Sequence, residues 1–214
     1  MDWEHLKIEE KGRAEFLAKW LRVLFYWTLF SGIVSGILES ESILAFCYHP
    51  ELVTTVLAVL EIAGSIFIFA KLGKESSCYH AVILCLVMSL CVRLVLFGQG
   101  PKGPLWWGMQ LLGVGVAFAN TYNTWQGHIE ILNGIHSRLA DQWKILWKWC
   151  VRLLIGIPAG LLIGLIMEDL GAIVALVSLI GLIVVGVLNW VYLWKTVKVF
   201  QTYIPKDCPE LIKT

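Results

Sequence analysis

The side chain with most to explain in this 214-residue chain is Glu61. It lies nine residues beyond Leu52, the start of an apolar run, and so about 13 Å deep at 1.5 Å per helical residue. A carboxylate at that depth in hydrocarbon costs several kcal/mol unless it is paired, protonated or in contact with water. Glu61 must therefore face protein or a polar cavity. Arg93, in the following antiparallel run, sits four residues before Phe97, about 6 Å from the end of its helix, and its long side chain can reach inward. Two roles fit this pair. One is a proton- or cation-linked carboxylate in a solute pathway; the other is a buried ion pair that fixes helix register, adding little net stability but costly to break from one side. Asn120, Asn123 and Asn189, with Ser65, add polar groups nearer the basic ends of their runs, suited to bonding across helices or to lining a cavity.

Other chemistries lack their spacing. His80 and Cys85 are five residues apart, which puts them about 140° apart around a helix at 100° per residue, and Cys78 and His80 also diverge. A cysteine nucleophile would need a base from elsewhere in the chain. No C-x-x-C pair exists among the six cysteines, which read as unpaired structural residues. His128, Glu130, His136 and Asp141 are metal-capable types, but they form no H-E-x-x-H or other tight ligand pattern and read as a solvated polar face. There is no Walker loop and no aspartate cluster of the kind metal-dependent phospholipid transferases use. No catalytic residue, metal or cofactor is expected. The 17 basic and 16 acidic residues leave a net charge of +1, too little for a nucleic-acid partner.

The elements that position Glu61 follow from composition. With 58% hydrophobic residues, 15% charged residues and a mean hydropathy of +0.74, most of the chain belongs in lipid. Six runs reach or approach the length needed to cross about 30 Å of hydrocarbon: 20–38, 52–72, 79–97, 105–125, 151–167 and 172–194. Backbone polar groups in lipid must be satisfied within the segment, so the runs predict an all-α integral membrane protein of six transmembrane helices. Around them the sequence divides into a cytoplasmic or interfacial segment 1–19, spans 1–4 over 20–126, an amphipathic connection 127–150, spans 5–6 over 151–197 and a tail 198–214. The mixed-charge start lacks the basic region and cleavage site of a signal peptide, so the first span is expected to be retained.

Charge predicts orientation. All basic residues except Arg93 and Lys102 fall in the N-terminal segment, the second and fourth loops, or the tail, while Glu39, Glu41, Glu51, Glu168 and Asp169 occupy the opposite loops. Both termini are expected to be cytoplasmic and the chain integral to the plasma membrane. From Arg13 onward the N-terminal segment has helical apolar spacing and is expected to lie along the headgroups. In the connection, Leu132, Ile135, Leu139, Trp143, Leu146 and Cys150 form one apolar stripe, expected on the membrane surface or against a soluble partner, with Asn133 and Gly134 breaking it from span 4.

Two spans carry small residues at every fourth position: Thr28, Gly32 and Gly36 in the first, and Gly156, Gly160 and Gly164 in the fifth. Such stripes let helix backbones approach, within one chain or between copies of it. Pro158 is expected to kink the fifth span beside Gly156. The segments SGIVSGILESE (31–41) and AGLLIGLIMED (159–169) echo each other, a pattern expected of a parallel duplication and also of any two glycine-bearing apolar helices. The sequence thus points to a membrane protein that binds or transports a small solute or ion through a polar intramembrane site. The alternative is a non-catalytic scaffold or regulatory subunit that assembles through its glycine seams. Expected partners are the lipid bilayer and either a second copy or a membrane or cytoplasmic protein.

Overall fold

The computed structural model of the chain describes the backbone of residues 3–38, 50–97 and 103–203, and their side chains except those of 3–9, 37, 38, 50 and 51. Glu39, Glu41, Lys102, Lys206 and Lys213 lie outside the described residues. Those residues form six helices and no strand: α1 (Trp3–Leu38), α2 (Pro50–Leu72), α3 (Ser77–Phe97), α4 (Pro104–Leu132), α5 (Ser137–Gly164) and α6 (Glu168–Gln201). Five of them, all but α4, are long and apolar enough to cross a membrane, the architecture of a multi-pass membrane protein. In α4 the tryptophans, Gln110 and the two asparagines dilute the aliphatic residues.

Local chemistry sets the helix ends. Pro50 and Pro104 occupy first helical positions, where a missing N–H leaves no bond unmade. Glu168 and Asp169 face the positive end of α6, and Lys198 lies in its last turn. Two turns share one hydrogen-bond plan. Between α2 and α3, Glu75 N–H donates to Leu72 O (2.9 Å), and Ser76 Oγ accepts from Cys78 N–H (3.2 Å). Between α4 and α5, Ile135 N–H donates to Leu132 O (3.1 Å), and His136 Nδ1 accepts from Leu139 N–H (3.1 Å). His136 is therefore a helix cap. Gly134, at φ +86°, takes the left-handed conformation that the turn requires.

The chain divides into two compact units, Met1–Gly127 with Val197–Thr214, and His128–Thr196. In the first, α1 buries Ala14, Leu17, Ala18, Leu21 and Leu24, while α2 and α3 bury Ile68, Phe69, Leu72, Tyr79 and Val82. The Arg13 guanidinium pairs with Glu75 in the α2–α3 turn. The segment expected along the headgroups from Arg13 onward thus buries one face within the chain. From Trp3 to Leu38 the helix is continuous, because the stripe from Ala14 to Leu24 packs inward.

In the second unit the expected surface stripe is also internal. Leu132, Leu139, Trp143, Leu146 and Cys150 are buried, and Trp143 is fully enclosed. Residues 137–150 of the amphipathic connection and most of the fifth run are one helix, α5, which continues through Pro158 even though proline frees the Leu154 carbonyl. Among the described residues, each unit buries most of its large side chains towards the basic ends of its helices.

Candidate functional site

Glu61 and Arg93 line one cavity of about 600 Å³ in the first unit, the volume of a small-ligand site. Helix α1 contributes Trp27, Phe30, Ser31, Val34 and Ser35; α2 contributes Thr54, Leu57, Ala58, Leu60 and Glu61; α3 contributes Arg93. Ser31 Oγ–H donates to Glu61 Oε1 across the α1–α2 boundary. Among the described residues Glu61 and Arg93 form no ion pair of 4.0 Å or less. Both charges therefore line the cavity without neutralising each other. Counted from the α2–α3 turn, Glu61 lies 11 residues from Leu72 and Arg93 lies 16 residues from Ser77. The guanidinium thus attaches about 7 Å further along the helix pair than the carboxylate.

Trp27 sets the cavity's width. Its indole lies against Gly64, where an added methyl group would overlap the ring, and its Nε1–H donates to Ser65 Oγ at 3.0 Å. Gly64 admits the indole, and the indole separates α1 from α2 on the side where Ser31, Ser35 and Glu61 line the opening. Ser65, expected among the general polar residues, is thus the group that orients the tryptophan.

The amides do not join the site. Asn123 Nδ2 donates to Ala119 O, one turn back in its own helix, at 2.7 Å. Asn120 Oδ1 is buried and accepts no hydrogen bond among the described residues. Asn189 is half-buried in the second unit and does not line the cavity. The hydrogen-bond partner of Glu61 is instead Ser31, and Ser35 and Thr54 share the cavity lining with it. Ser31 and Ser35 are i and i+4 on α1, so they share a face with each other. That spacing was present in the sequence, but the same residues also fit a small-residue seam.

The two small-residue stripes have different surroundings. In the second unit, a methyl group on Gly160 would lie 2.8 Å from the Ala175 amide nitrogen and 2.9 Å from the Gly171 carbonyl oxygen of α6. Gly156 faces Ser178, and a methyl on Gly164 would lie 3.8 Å from Gly171 Cα. In the first unit, Thr28 Oγ1–H bonds back to Phe25 O at 3.0 Å, Gly32 and Gly36 are exposed, and a methyl on Gly36 would meet nothing within 4 Å.

A buried polar cluster in the second unit went unread in the sequence. His128 is 1% exposed and lies three residues beyond the fourth apolar run, which corrects its assignment to a solvated face. Its ring stacks on Trp143 at 4.8 Å between centroids; Trp143 Nε1–H donates to Thr196 Oγ1 at 3.2 Å, and Thr196 Oγ1–H donates to Tyr192 O at 2.8 Å. Burial lowers the His128 pKa to about 3, so the ring is neutral at physiological pH. Among the described residues, no three His, Cys, Asp or Glu side chains are grouped to hold a metal ion. The chain matches no known protein family, curated protein or solved structure.

Proposed function

We propose that this chain is a six-span membrane protein, with both termini cytoplasmic, that binds a small solute or ion in the Glu61–Arg93 cavity and passes it across the bilayer. One observation carries the reading: a carboxylate and a guanidinium line one ligand-sized cavity without pairing. A pair that served only to fix helix register would close on itself, because leaving either charge unpaired in low dielectric is costly. Here Ser31 supports the carboxylate, and the space between the charges remains open to a ligand.

The topology rests on charge and on α4. Positive charge on one set of helix ends and acidic loops on the other favour cytoplasmic termini. At 29 residues α4 is long enough to cross, and Leu105, Trp107, Leu111, Leu112, Val114 and Phe118 are exposed along it, a surface suited to lipid. The scaffold alternative has less to draw on. Of the two stripes, that of α5 already faces α6, and Gly32 and Gly36 of α1 are the glycines left exposed.

Thermal unfolding of the purified protein in detergent, with 5-aminovalerate, pentylamine and pentanoate as probes, tests the site. A probe that binds at a hundredfold excess over its Kd stabilises the fold by about 2.7 kcal/mol. At least one probe should raise Tm, and Glu61→Gln or Arg93→Gln should abolish the shift. If no probe, and no alkali cation or change of pH, distinguishes Glu61→Gln from wild type, and the variant changes thermal stability alone, the solute reading is wrong.

A further inference from the structure

A second cavity, of about 590 Å³, lies at the other end of the first unit. One face of α1 supplies Lys11, Ala14, Glu15, Ala18, Lys19, Arg22 and Val23 to it, and the end of α6 with the residues after it supplies Phe200, Gln201 and Tyr203. Ala14, Ala18 and Phe200 are buried, so the floor is apolar, while Lys11, Lys19 and Arg22 are exposed along its rim. The rim cations extend over 11 residues of helix, about 16 Å. Glu15 is the acidic group among them, which leaves two net positive charges. Among the described residues neither lysine forms an ion pair, and Arg22 is held by the Gln201 amide oxygen in the orientation that satisfies both groups.

The depth of this groove is marked independently. Trp20 packs on Phe16 at 6.3 Å and on Phe67 of α2 at 5.7 Å between centroids, and Lys71 lies 5.5 Å over the Phe67 ring. Half-exposed aromatics stacked beside lysines on two adjacent helices are the pattern of a membrane–water boundary. Lys19 and Arg22 flank Trp20 in sequence, which puts them at headgroup level. A lysine, an arginine and the Tyr203 hydroxyl bordering this groove match one end of a phospholipid: a phosphodiester oxyanion for the donors, with the polar headgroup reaching along the groove towards Lys11 and the acyl chains starting beside Val23.

We infer that the α1 groove between Lys11 and Tyr203 is a binding site for the headgroup of an anionic phospholipid, with Lys19 and Arg22 holding its phosphodiester. The site is separate from the Glu61 cavity and does not depend on what that cavity binds. Its occupant is a lipid rather than a soluble anion because the rim stands beside the aromatic boundary and the groove opens past Val23 towards the apolar part of α1.

Native mass spectrometry on protein released from bilayers of equal parts phosphatidylglycerol and phosphatidylcholine provides the test. Wild-type protein should retain phosphatidylglycerol in preference to phosphatidylcholine. Lys19→Gln with Arg22→Gln should reduce that preference about thirtyfold, the loss expected for two cations at an anionic surface. Lys148→Gln with Arg152→Gln removes the same charge from α5 and should leave the preference close to that of wild type, because neither side chain lines the groove. An equal loss in the α5 variant would show diffuse attraction and overturn the site. So would displacement of the lipid by 10 mM inorganic phosphate, which would identify a soluble-anion site. Circular dichroism matching wild type for both double variants keeps misfolding from imitating either result.

Discussion

In α1, Thr28, Gly32 and Gly36 recur every fourth residue, as Gly156, Gly160 and Gly164 do in α5, yet only the second stripe is covered by its neighbouring helix. The difference lies in what each neighbour brings. Opposite α5, α6 supplies Gly171, Ala175 and Ser178, so small residues meet small residues and backbone meets backbone. Opposite α1, α2 supplies Leu57, Leu60 and Glu61, and the Trp27 indole is wedged onto Gly64. A glycine stripe therefore specifies close approach only when its partner is also small. Where it is not, the same stripe stays exposed, and the neighbouring face of α1, through Ser31 and Ser35, lines the cavity that holds the half-buried Glu61.

The sharpest way to break this comparison is to add bulk to each stripe. Gly160→Leu should cost about 3 kcal/mol or more, because its side chain would collide with the α6 backbone rather than with a movable side chain. Gly36→Leu should change stability by less than about 0.5 kcal/mol. Thermal unfolding of both variants in the same detergent decides the matter; equal losses would mean that the two stripes are packed alike.

Acid should loosen the second unit next. With its pKa lowered from 6.5 to about 3, His128 is protonated in the unfolded chain before it is protonated in the folded one. Between those values the unfolded state holds more protons, so stability rises with pH and falls on acidification, by about 1.4 kcal/mol per pH unit. The loss begins as pH drops below about 6.5. The pH dependence of denaturant unfolding should lose this slope in His128→Gln; an unchanged slope would show that other groups cause it.

A smaller effect is expected in the cavity. Ser31→Ala removes the donor to Glu61 and should cost about 1 to 2 kcal/mol in unfolding experiments, while weakening any probe that Glu61 binds. Glu75→Gln, which breaks the pair with the exposed Arg13, should cost less than about 1 kcal/mol, and high salt should reduce that cost.

Helix identity was legible because lipid leaves the backbone one economical solution and because the apolar runs are long. Helix length was not. The hydropathy of α1 begins near Trp20, but tertiary burial of Ala14, Leu17 and Ala18 carries the helix well before it. Trp143 shows the same limit from the other side: an amphipathic stripe reads identically whether it faces a membrane surface, a partner or its own neighbours, and only the fold assigns it to Thr196 and His128. At the cavity, Glu61 was conspicuous because a carboxylate in an apolar run is costly, and Arg93 because it is the cation of the next, antiparallel run. Ser31 and Ser35 were hidden by their size, which suits a packing seam as well as it suits a hydrogen bond to a carboxylate. His136 was hidden because histidine is an uncommon helix cap.

The connection between α5 and α6 is three residues, Leu165–Met167, with Leu165 and Ile166 more than four-fifths exposed. Its amides are nevertheless occupied: Leu165 N–H donates to Leu162 O, and Ile166 and Met167 N–H both donate to Ile163 O, at 3.3, 3.0 and 2.8 Å. A turn whose amides are bonded and whose side chains are aliphatic leaves fewer polar groups to carry through hydrocarbon. For biogenesis, the expectation is that α5 and α6 enter the bilayer together as a hairpin, tip first, with Glu168 and Asp169 the charges next to the tip. Insertion assays on chains ending at Gly164 and at Gln201 would show it, as α5 integrating efficiently only when α6 follows.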